Sequence, residues 1–267
     1  MESVGMKTFD SIYKPEKIFE KRCVCNIHGV YKAICSVFKS GLETCSKCPE
    51  CAEEEARLAE AEEKQKQQER LVALYKAMNI EPEFYDKTFD DFVAKTESQK
   101  KALEAVRKMV EQKHGKVILL GTNGVGKTLL ASIAVKLLGG RIYSMYEISV
   151  MIRQSYTVRA ERSELEIVNE LASVPFLAID ELSRTKGSDA EQNWLSYVLD
   201  KRHSRGLPFM LMGNVHFRKL CKDGGCPRCF ENFIDNDILS RLRQDSSIVV
   251  IDAPDERMCQ SIFKEEE

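Results

Sequence analysis

Short apolar runs alternate with helix-forming segments through the second half of the chain. Residues 116–120, 174–179 and 207–212 are apolar runs of strand length, and each is followed by a glycine or a carboxylate residue. Runs of this kind are typical of strands buried on both faces of a sheet. Residues 129–138 contain strong helix formers and end at two glycines, as many helices do. The alternation predicts an α/β fold in which helices flank a parallel sheet.

A glycine-rich loop joins the first predicted strand to the next helix. Residues 121–128 read Gly-Thr-Asn-Gly-Val-Gly-Lys-Thr, which matches the phosphate-binding pattern G-x-x-x-x-G-K-T in its required strand–helix context. Glycines let backbone amide groups turn toward a phosphate, and the helix N-terminus adds partial positive charge. Lys127 can reach the β- and γ-phosphates, and the Thr128 hydroxyl can bind Mg²⁺. The predicted contacts with a nucleoside triphosphate come from Gly121, Thr122, Asn123, Gly124, Val125, Gly126, Lys127, Thr128 and Leu129.

Polar residues follow the other two predicted strands. The run 174–179 ends in Asp180 and Glu181. This pattern predicts that Asp180 holds hydrated Mg²⁺ and that Glu181 polarises the attacking water. The third run ends at Gly213 and Asn214. Asn214 is a candidate for orienting that water, although Gly-Asn is also a common turn.

Two arginines lie near the end of a predicted helix over residues 237–243, ahead of a predicted strand over 248–251. Either Arg241 or Arg243 is a candidate arginine finger that acts on the nucleotide of a neighbouring subunit. The alternative is that both are solvated arginines, which are favourable at a helix C-terminus.

These motifs, in this order, resemble those of the AAA+ ATPases of the DnaC/IstB group. The matching segments are Gly-Thr-Asn-Gly-Val-Gly-Lys-Thr, Phe-Leu-Ala-Ile-Asp-Glu-Leu, Phe-Met-Leu-Met-Gly-Asn and Ile-Leu-Ser-Arg-Leu. The resemblance covers the region between residues 78 and 250. It implies an AAA+ core with Mg²⁺-dependent hydrolysis of ATP to ADP and phosphate. It also implies a sensor role for Asn214, the finger role for Arg241 and a subunit-interface contact for Arg202.

Three departures from the group's pattern are visible. Asp237 stands where the group has a second arginine, and the sensor strand ends Gly-Asn instead of Thr-Asn. Extra residues, among them Cys221, Cys226 and Cys229, separate Asn214 from Arg241. Because little more than one strand and a short polar tail follow Arg243, we expect no helical lid.

The composition indicates the cellular compartment that we expect for the protein, and the compartment in turn indicates a role for the cysteines. The net charge of −2 gives no global sign of nucleic-acid binding, so any such surface must be local. Neither a membrane-spanning run nor a signal pattern is present, so we expect a protein of the bacterial host cytoplasm, where thiols stay reduced. In that setting the 10 cysteines favour metal binding.

A cysteine-rich segment near the N-terminus predicts a zinc site. A Cys-x₂-His pair and a Cys-x₂-Cys pair, separated by about 20 residues, suit tetrahedral Zn²⁺. The first ligand set is Cys25, His28, Cys48 and Cys51, with Cys23 and Cys45 as alternates. We expect Cys35 to be a small buried apolar residue and the intervening residues to form a hairpin. The segment resembles the N-terminal zinc modules of phage-encoded DnaC-like proteins.

A second cysteine group follows the sensor strand. Cys221, Cys226 and Cys229 form a candidate zinc set, with His216 or Cys259 as a possible fourth ligand. The alternative is a loop insertion whose cysteines bind nothing.

The chain therefore divides into three predicted regions. Residues 1–51 form the zinc module, residues 52–80 a charged helical linker with its helix over 52–77, and residues 81–267 the AAA+ domain.

The resemblance implies an ATP-dependent loader of a replicative DNA helicase onto single-stranded DNA, of phage or prophage type. It would assemble as a homo-oligomer through its ATP sites. Candidate DNA contacts are Arg153, Arg159 and Arg162, although a solvated surface explains these arginines equally well. The first alternative is an IstB-like transposition helper ATPase that acts on duplex DNA. A small-molecule kinase and a zinc-dependent binding protein with a nucleotide switch are further alternatives.

Overall fold

The computed structural model describes residues 14–184 and 188–255. The chain forms two compact units that divide after Leu71, and each unit has its own sheet. This division falls within the segment assigned above to a helical linker. No helix within the described ranges is long and apolar enough to cross a bilayer.

The smaller unit contains a three-stranded antiparallel sheet with the order β1-β2-β3. Its strands are β1 (Lys17–Cys25), β2 (Gly29–Val37) and β3 (Glu43–Cys45). The expected hairpin forms, but it starts before the first predicted zinc ligand, so the Cys-x₂-His pair lies in its turn. Gly29 closes the turn with a φ of 81°, a conformation that favours glycine.

Helix α1 (Pro49–Ala77) begins shortly after β3. The predicted helix over 52–77 is confirmed and begins earlier, because proline is well tolerated in the first turn of a helix. The whole helix is described, and none of its residues is buried. Its surface carries ion pairs one turn apart, such as Glu60 with Lys64 at 2.6 Å. The mixed-charge, solvated surface expected from the sequence is therefore present.

The larger unit is built on a five-stranded parallel sheet with the order β5-β6-β7-β4-β8. The strands are β4 (Lys116–Gly121), β5 (Arg141–Ser144), β6 (Leu177–Asp180), β7 (Phe209–Gly213) and β8 (Ser246–Ile251). The predicted parallel sheet is confirmed. β6 begins later than the apolar run does, because Pro175 has no backbone N–H to donate to a ladder.

Helices cover both faces of this sheet. They are α2 (Glu97–Gln112), α3 (Lys127–Leu138), α4 (Met145–Ser155), α5 (Glu164–Ser173), α6 (Asp189–Ser204) and α7 (Asn236–Asp245). Alternate residues of β4 enter two different cores: Ile118 and Leu120 lie in the core with α4–α7, while Val117 and Leu119 pack with α2 and α3. Two apolar faces explain why β4 reads as a continuous apolar run. The expectation that no lid follows concerns residues 256–267, which lie outside the described residues.

The position of Arg202 contradicts one expectation. The resemblance implies a subunit-interface contact, but the side chain is fully buried in α6. Its guanidinium donates to the carbonyl oxygens of Leu171 (2.9 Å), Val174 (2.9 Å), Pro175 (3.3 Å) and Pro208 (2.7 Å). Arg202 therefore ties the end of α5 to the segments that enter β6 and β7.

Candidate functional site

The glycine-rich loop lies between the end of β4 and the start of α3. Gly124 and Gly126 have φ values of 73° and 94°, in the left-handed region. A Cβ on Gly126 would collide with the Phe92 ring, which is 7% exposed. A Cβ on Gly124 would collide with the Asp255 carboxylate. Both glycines are therefore required by the backbone conformation and by close neighbours.

Lys127 is the first residue of α3 and is 8% exposed. Its Nζ donates to the carbonyl oxygens of Gly121 at 2.9 Å and Thr122 at 2.6 Å. The ammonium group is thus held against the loop, where the amide groups and the helix N-terminus also place positive potential.

The two residues predicted to hold Mg²⁺ contact each other. The Thr128 hydroxyl donates to Asp180 Oδ2 at 2.7 Å, and the Glu181 backbone N–H donates to Asp180 Oδ1 at 2.7 Å. Asp180 is 8% exposed at the end of β6. Hydroxyl and carboxylate oxygens are ligands that Mg²⁺ prefers, so this pair fits the ion by its chemistry.

Glu181 adopts an unusual backbone conformation directly after β6. Its φ of 56° lies in the left-handed region, which costs a non-glycine residue about 1–3 kcal/mol and occurs often at functional sites. Its carboxylate forms an ion pair with Arg184 at 2.9 Å. Nothing in the sequence pattern singled out Arg184, because only the turn after β6 brings it back onto Glu181.

A cleft of about 780 Å³ contains most of the predicted nucleotide site. Asn214, at the end of β7, lines it together with Asp180 and Glu181. The predicted loop residues that line it are Asn123, Gly124, Val125, Gly126, Lys127, Thr128 and Leu129. Gly121 and Thr122 do not line it and instead accept hydrogen bonds from Lys127. The segment before α2 adds lining residues that the sequence did not indicate, namely Glu83, Phe84, Lys87, Asp91, Phe92, Val93 and Lys95.

Arg241 lies elsewhere. It belongs to α7, forms an ion pair with Asp200 of α6, and accepts a hydrogen bond from Lys116 Nζ at its carbonyl oxygen (3.2 Å). Its half-exposed side chain is not among those that line the nucleotide cleft. The side chain of Arg243, the alternative finger, lies outside the described part of the structure.

The predicted N-terminal zinc ligands come together in the smaller unit. His28 Nδ1 lies 3.7 Å from Cys25 Sγ, 3.6 Å from Cys48 Sγ and 3.3 Å from Cys51 Sγ. The Cys25 and Cys51 sulfurs are 3.5 Å apart. Tetrahedral zinc geometry requires S···N and S···S separations of about 3.6 and 3.8 Å, so the donor set has suitable dimensions. Glu50 lies 3.5 Å from His28 Nε2, where a carboxylate can orient a ligating imidazole.

The electrostatics of this cluster also favour a cation. Hydrogen bonds from the backbone amides of His28 and Ile27 lower the pKa of Cys25 to about 6. The hydrogen bond with Cys25 raises the pKa of Cys51 to about 12, because a second thiolate beside the first is unfavourable. A cation removes that repulsion. The cluster could therefore hold zinc.

The alternate ligands form a separate group. Cys23, Cys35 and Cys45 lie together, apart from the first ligand set. The β2–β3 register pairs Cys35 directly with Cys45, and a disulfide joins the two residues. Cys35 is fully buried as expected, but the expectation that it is only a small apolar residue is wrong, as is the expectation of reduced thiols at this pair. Within this structure Cys45 is not available to replace a ligand of the first set.

The second cysteine group also comes together. Cys221, Cys226 and Cys229 lie with His216, and the four ligand atoms are within 4.8 Å of one another. Of the two candidates for a fourth ligand, the structure places His216 in the cluster, while Cys259 lies outside the described residues.

Comparison with known proteins places this geometry in a family. A profile of the IstB-like ATP binding protein family matches residues 50–260. The replicative helicase loader DnaC of Escherichia coli (strain K12) is 25% identical over 189 residues, which cover 68% of this chain and 73% of that protein.

Solved structures share the fold. A crystal structure of the DnaC helicase loader has a TM-score of 0.51 and 18% identity, covering 64% of this chain and 100% of that one. AMPPCP-bound DnaA from Aquifex aeolicus has a TM-score of 0.52 and 18% identity, covering 70% of this chain but only 56% of that one. The family match includes the glycine loop, the acidic strand end and α7. The chain therefore belongs to the IstB-like ATP binding protein family and is a DnaC/IstB-like AAA+ ATPase.

Proposed function

We propose that this protein is an ATP-dependent loader of a replicative DNA helicase onto single-stranded DNA, of phage or prophage type. One observation carries the ATPase part: the 2.7 Å hydrogen bond from Thr128 to Asp180, which joins the phosphate loop to the acidic end of β6. The relationship to DnaC, which extends over 73% of that loader, supports a role in replication.

In the proposed reaction, each residue of the site has its own role. Lys127 binds the β- and γ-phosphates, and Thr128 and Asp180 hold Mg²⁺. When bound, the ion neutralises negative charge on the phosphate oxygens. Glu181 accepts a hydrogen bond from the attacking water and polarises it, and Asn214 orients the same water. The product is ADP with inorganic phosphate.

The position of Arg241 supports a homo-oligomer that assembles through its ATP sites. An arginine finger stabilises charge on a transferring phosphoryl group. Arg241 is half-exposed on α7 and does not line the cleft of its own chain. The nucleotide that it contacts would therefore belong to a neighbouring subunit.

We assign helicase binding to the N-terminal module, with Zn²⁺ held by Cys25, His28, Cys48 and Cys51. Apolar side chains on its β1–β2 hairpin are strongly exposed, including Val24 at 74% and Val30 at 69%, which face each other across the strands. Exposed apolar side chains are typical of surfaces that bind a protein partner, so they support this assignment.

Single-stranded DNA would bind basic residues of the ATPase unit. Among the candidates, Arg162 forms an ion pair with Glu170, and the Arg153 guanidinium lies over the Tyr146 ring, 6.0 Å from its centre. Arg159 is exposed beyond α4. The proposed activity places the protein in the bacterial cytoplasm.

A second function, the IstB-like transposition helper, is favoured by the family profile, whose name is that of the IstB-like proteins. It would use the same ATP site to stimulate a transposase on duplex DNA. The two proposals differ in their protein partner and in the DNA that they need.

The test is binding to the host replicative helicase in pull-down with and without ATP, followed by helicase transfer onto a single-stranded circle. Glu181→Gln serves as the variant that retains ATP, and Lys127→Ala as the variant that lacks it. We expect a stable complex and ATP-dependent transfer, lost in Lys127→Ala. No complex in any nucleotide condition overturns the loader proposal, and stimulation of a transposase on duplex DNA would support the alternative.

A further inference from the structure

We propose that His216, Cys221, Cys226 and Cys229 bind a second Zn²⁺ ion, which holds together the connection between β7 and α7. This site lies inside the ATPase unit and is independent of the N-terminal cluster. Three thiols and one imidazole form the donor set expected of a closed structural zinc site.

The distances suit a tetrahedral ion. His216 Nε2 lies 3.4 Å from Cys226 Sγ and 3.8 Å from Cys229 Sγ, against about 3.6 Å for nitrogen and sulfur on one zinc ion. The Cys221 sulfur lies within 4.8 Å of the ligand atoms of the other three residues. The four side chains therefore converge on one point from a segment that spans 14 residues, His216 to Cys229.

Backbone N–H groups also point at the cysteine sulfurs, as they would toward thiolates. The Cys226 N–H donates to Cys229 Sγ at 3.3 Å, and the Arg228 N–H donates to Cys226 Sγ at 3.4 Å. Gly224 and Gly225, with φ values of 68° and 157°, reverse the chain between Cys221 and Cys226. Amide groups directed at sulfur stabilise its charged form, which is the form that binds metal.

The segment has little else to keep it folded. None of the described residues from 216 to 228 is buried, whereas Val215 before it and Cys229 after it are in the interior. Phe217 packs against the core and pairs edge-on with Phe230, with ring centres 5.5 Å apart. So short a segment without a core of its own needs another source of stability, and a metal supplies it.

The cluster is joined to the nucleotide site through the backbone. His216 follows Asn214 by two positions, donates to the Arg228 carbonyl at 3.1 Å and accepts from the Phe230 N–H at 2.8 Å. Asn232 then donates to the Cys226 carbonyl at 2.8 Å. The ion thus fastens the chain immediately behind Asn214, so its role is to position the end of β7.

The metal content of the purified full-length chain, measured by mass spectrometry, tests the proposal. We expect two zinc ions per chain in the parent and one in Cys48→Ser/Cys51→Ser. Cys221→Ser/Cys226→Ser should also hold one. Cys23→Ser, which removes a free thiol outside both four-residue clusters, is the matched control and should retain two. A single zinc ion in the parent that disappears in Cys48→Ser/Cys51→Ser would overturn the proposal.

A second measurement starts from a variant in which the proposed second site is intact. Cys48→Ser/Cys51→Ser keeps all four proposed ligands, so after removal of zinc it should take up one Co²⁺ per chain with the strong thiolate absorption of a tetrahedral site. His216→Cys in this background should keep that stoichiometry, whereas His216→Ala should weaken cobalt binding at least tenfold. Absence of the thiolate absorption in Cys48→Ser/Cys51→Ser contradicts the second site.

Discussion

Thr128 Oγ1 donates a 2.7 Å hydrogen bond to Asp180 Oδ2, joining residues 52 positions apart in the sequence. The first belongs to the start of α3 and the second to the end of β6, and β7 lies between β6 and β4 in the sheet. This arrangement places Asn214, at the end of β7, beside both. Two strand ends and the start of α3 thereby form one edge of the cleft.

Glu181→Gln should slow ATP hydrolysis while ATP binding is retained. A general base contributes about 10²–10⁴-fold to rate, and glutamine cannot accept the proton. Steady-state ATPase assays and nucleotide titration would measure the two effects separately. Lys127→Ala is the control that should lose binding itself. Hydrolysis by Glu181→Gln at the parental rate would remove Glu181 from its proposed role.

Gly126→Ala should destabilise the protein and abolish nucleotide binding, because the new methyl group meets the Phe92 ring and φ is 94°. Gly139→Ala is the matched control: its φ of 71° is also left-handed, but nothing lies within 4 Å of the new atom. The control should lose about 1–3 kcal/mol in the free energy of unfolding and still bind ATP. Phe92→Ala in the Gly126→Ala background should recover part of the loss. Equal urea denaturation curves and equal ATP affinities for the two glycine variants would contradict the collision.

Arg202→Ala should lower the free energy of unfolding by about 3–5 kcal/mol, because it leaves buried carbonyl groups without their donor. Arg205→Ala removes an exposed neighbour with one weaker contact, at 3.4 Å to the Ala172 carbonyl, and should cost less than about 1 kcal/mol. Urea denaturation measures both. If Arg202→Ala leaves stability unchanged and instead prevents subunit assembly, the interface role returns.

Arg241→Ala should retain ATP binding and lose hydrolysis, since arginine fingers contribute about 10³–10⁵-fold to rate. Mixing Arg241→Ala with Lys127→Ala tests whether the residue acts on a neighbour. The mixture contains sites with an intact loop from one variant and an intact Arg241 from the other, so activity should reappear. Two inactive variants that stay inactive when mixed, although they co-assemble, would argue against action between subunits.

Removing zinc from the N-terminal cluster should unfold the hairpin of β1 and β2. Among residues 14–71, only Ala33, Cys35 and Cys48 are buried, which is too little apolar burial for a stable module. Hydrogen exchange of the Cys48→Ser/Cys51→Ser variant should therefore be fast in β1 and β2 and unchanged in β4. Protection of β1 and β2 equal to that of the parent would show that the hairpin is stable without the metal.

Several elements were predictable because their signals are local. The glycine loop, the strands around it and α1 follow from residues close together in the sequence. Both cysteine groups were visible as spaced pairs. The first and last residues of the elements were less predictable. β6 begins after Pro175 instead of before it. The β1–β2 hairpin of the smaller unit includes Cys25 and His28 instead of following them.

The sequence by itself determined where the candidate nucleotide site lies, since Lys127, Thr128, Asp180 and Glu181 are identified by their positions beside strands and a helix. Only the tertiary structure decided which residues from distant parts of the chain lie in contact. It placed Arg202 in the interior, Phe92 against Gly126, and His216 among the second group of cysteines. The physical reason is that burial and metal-ligand geometry depend on contacts between segments far apart in the chain, which local patterns of hydrophobicity do not contain.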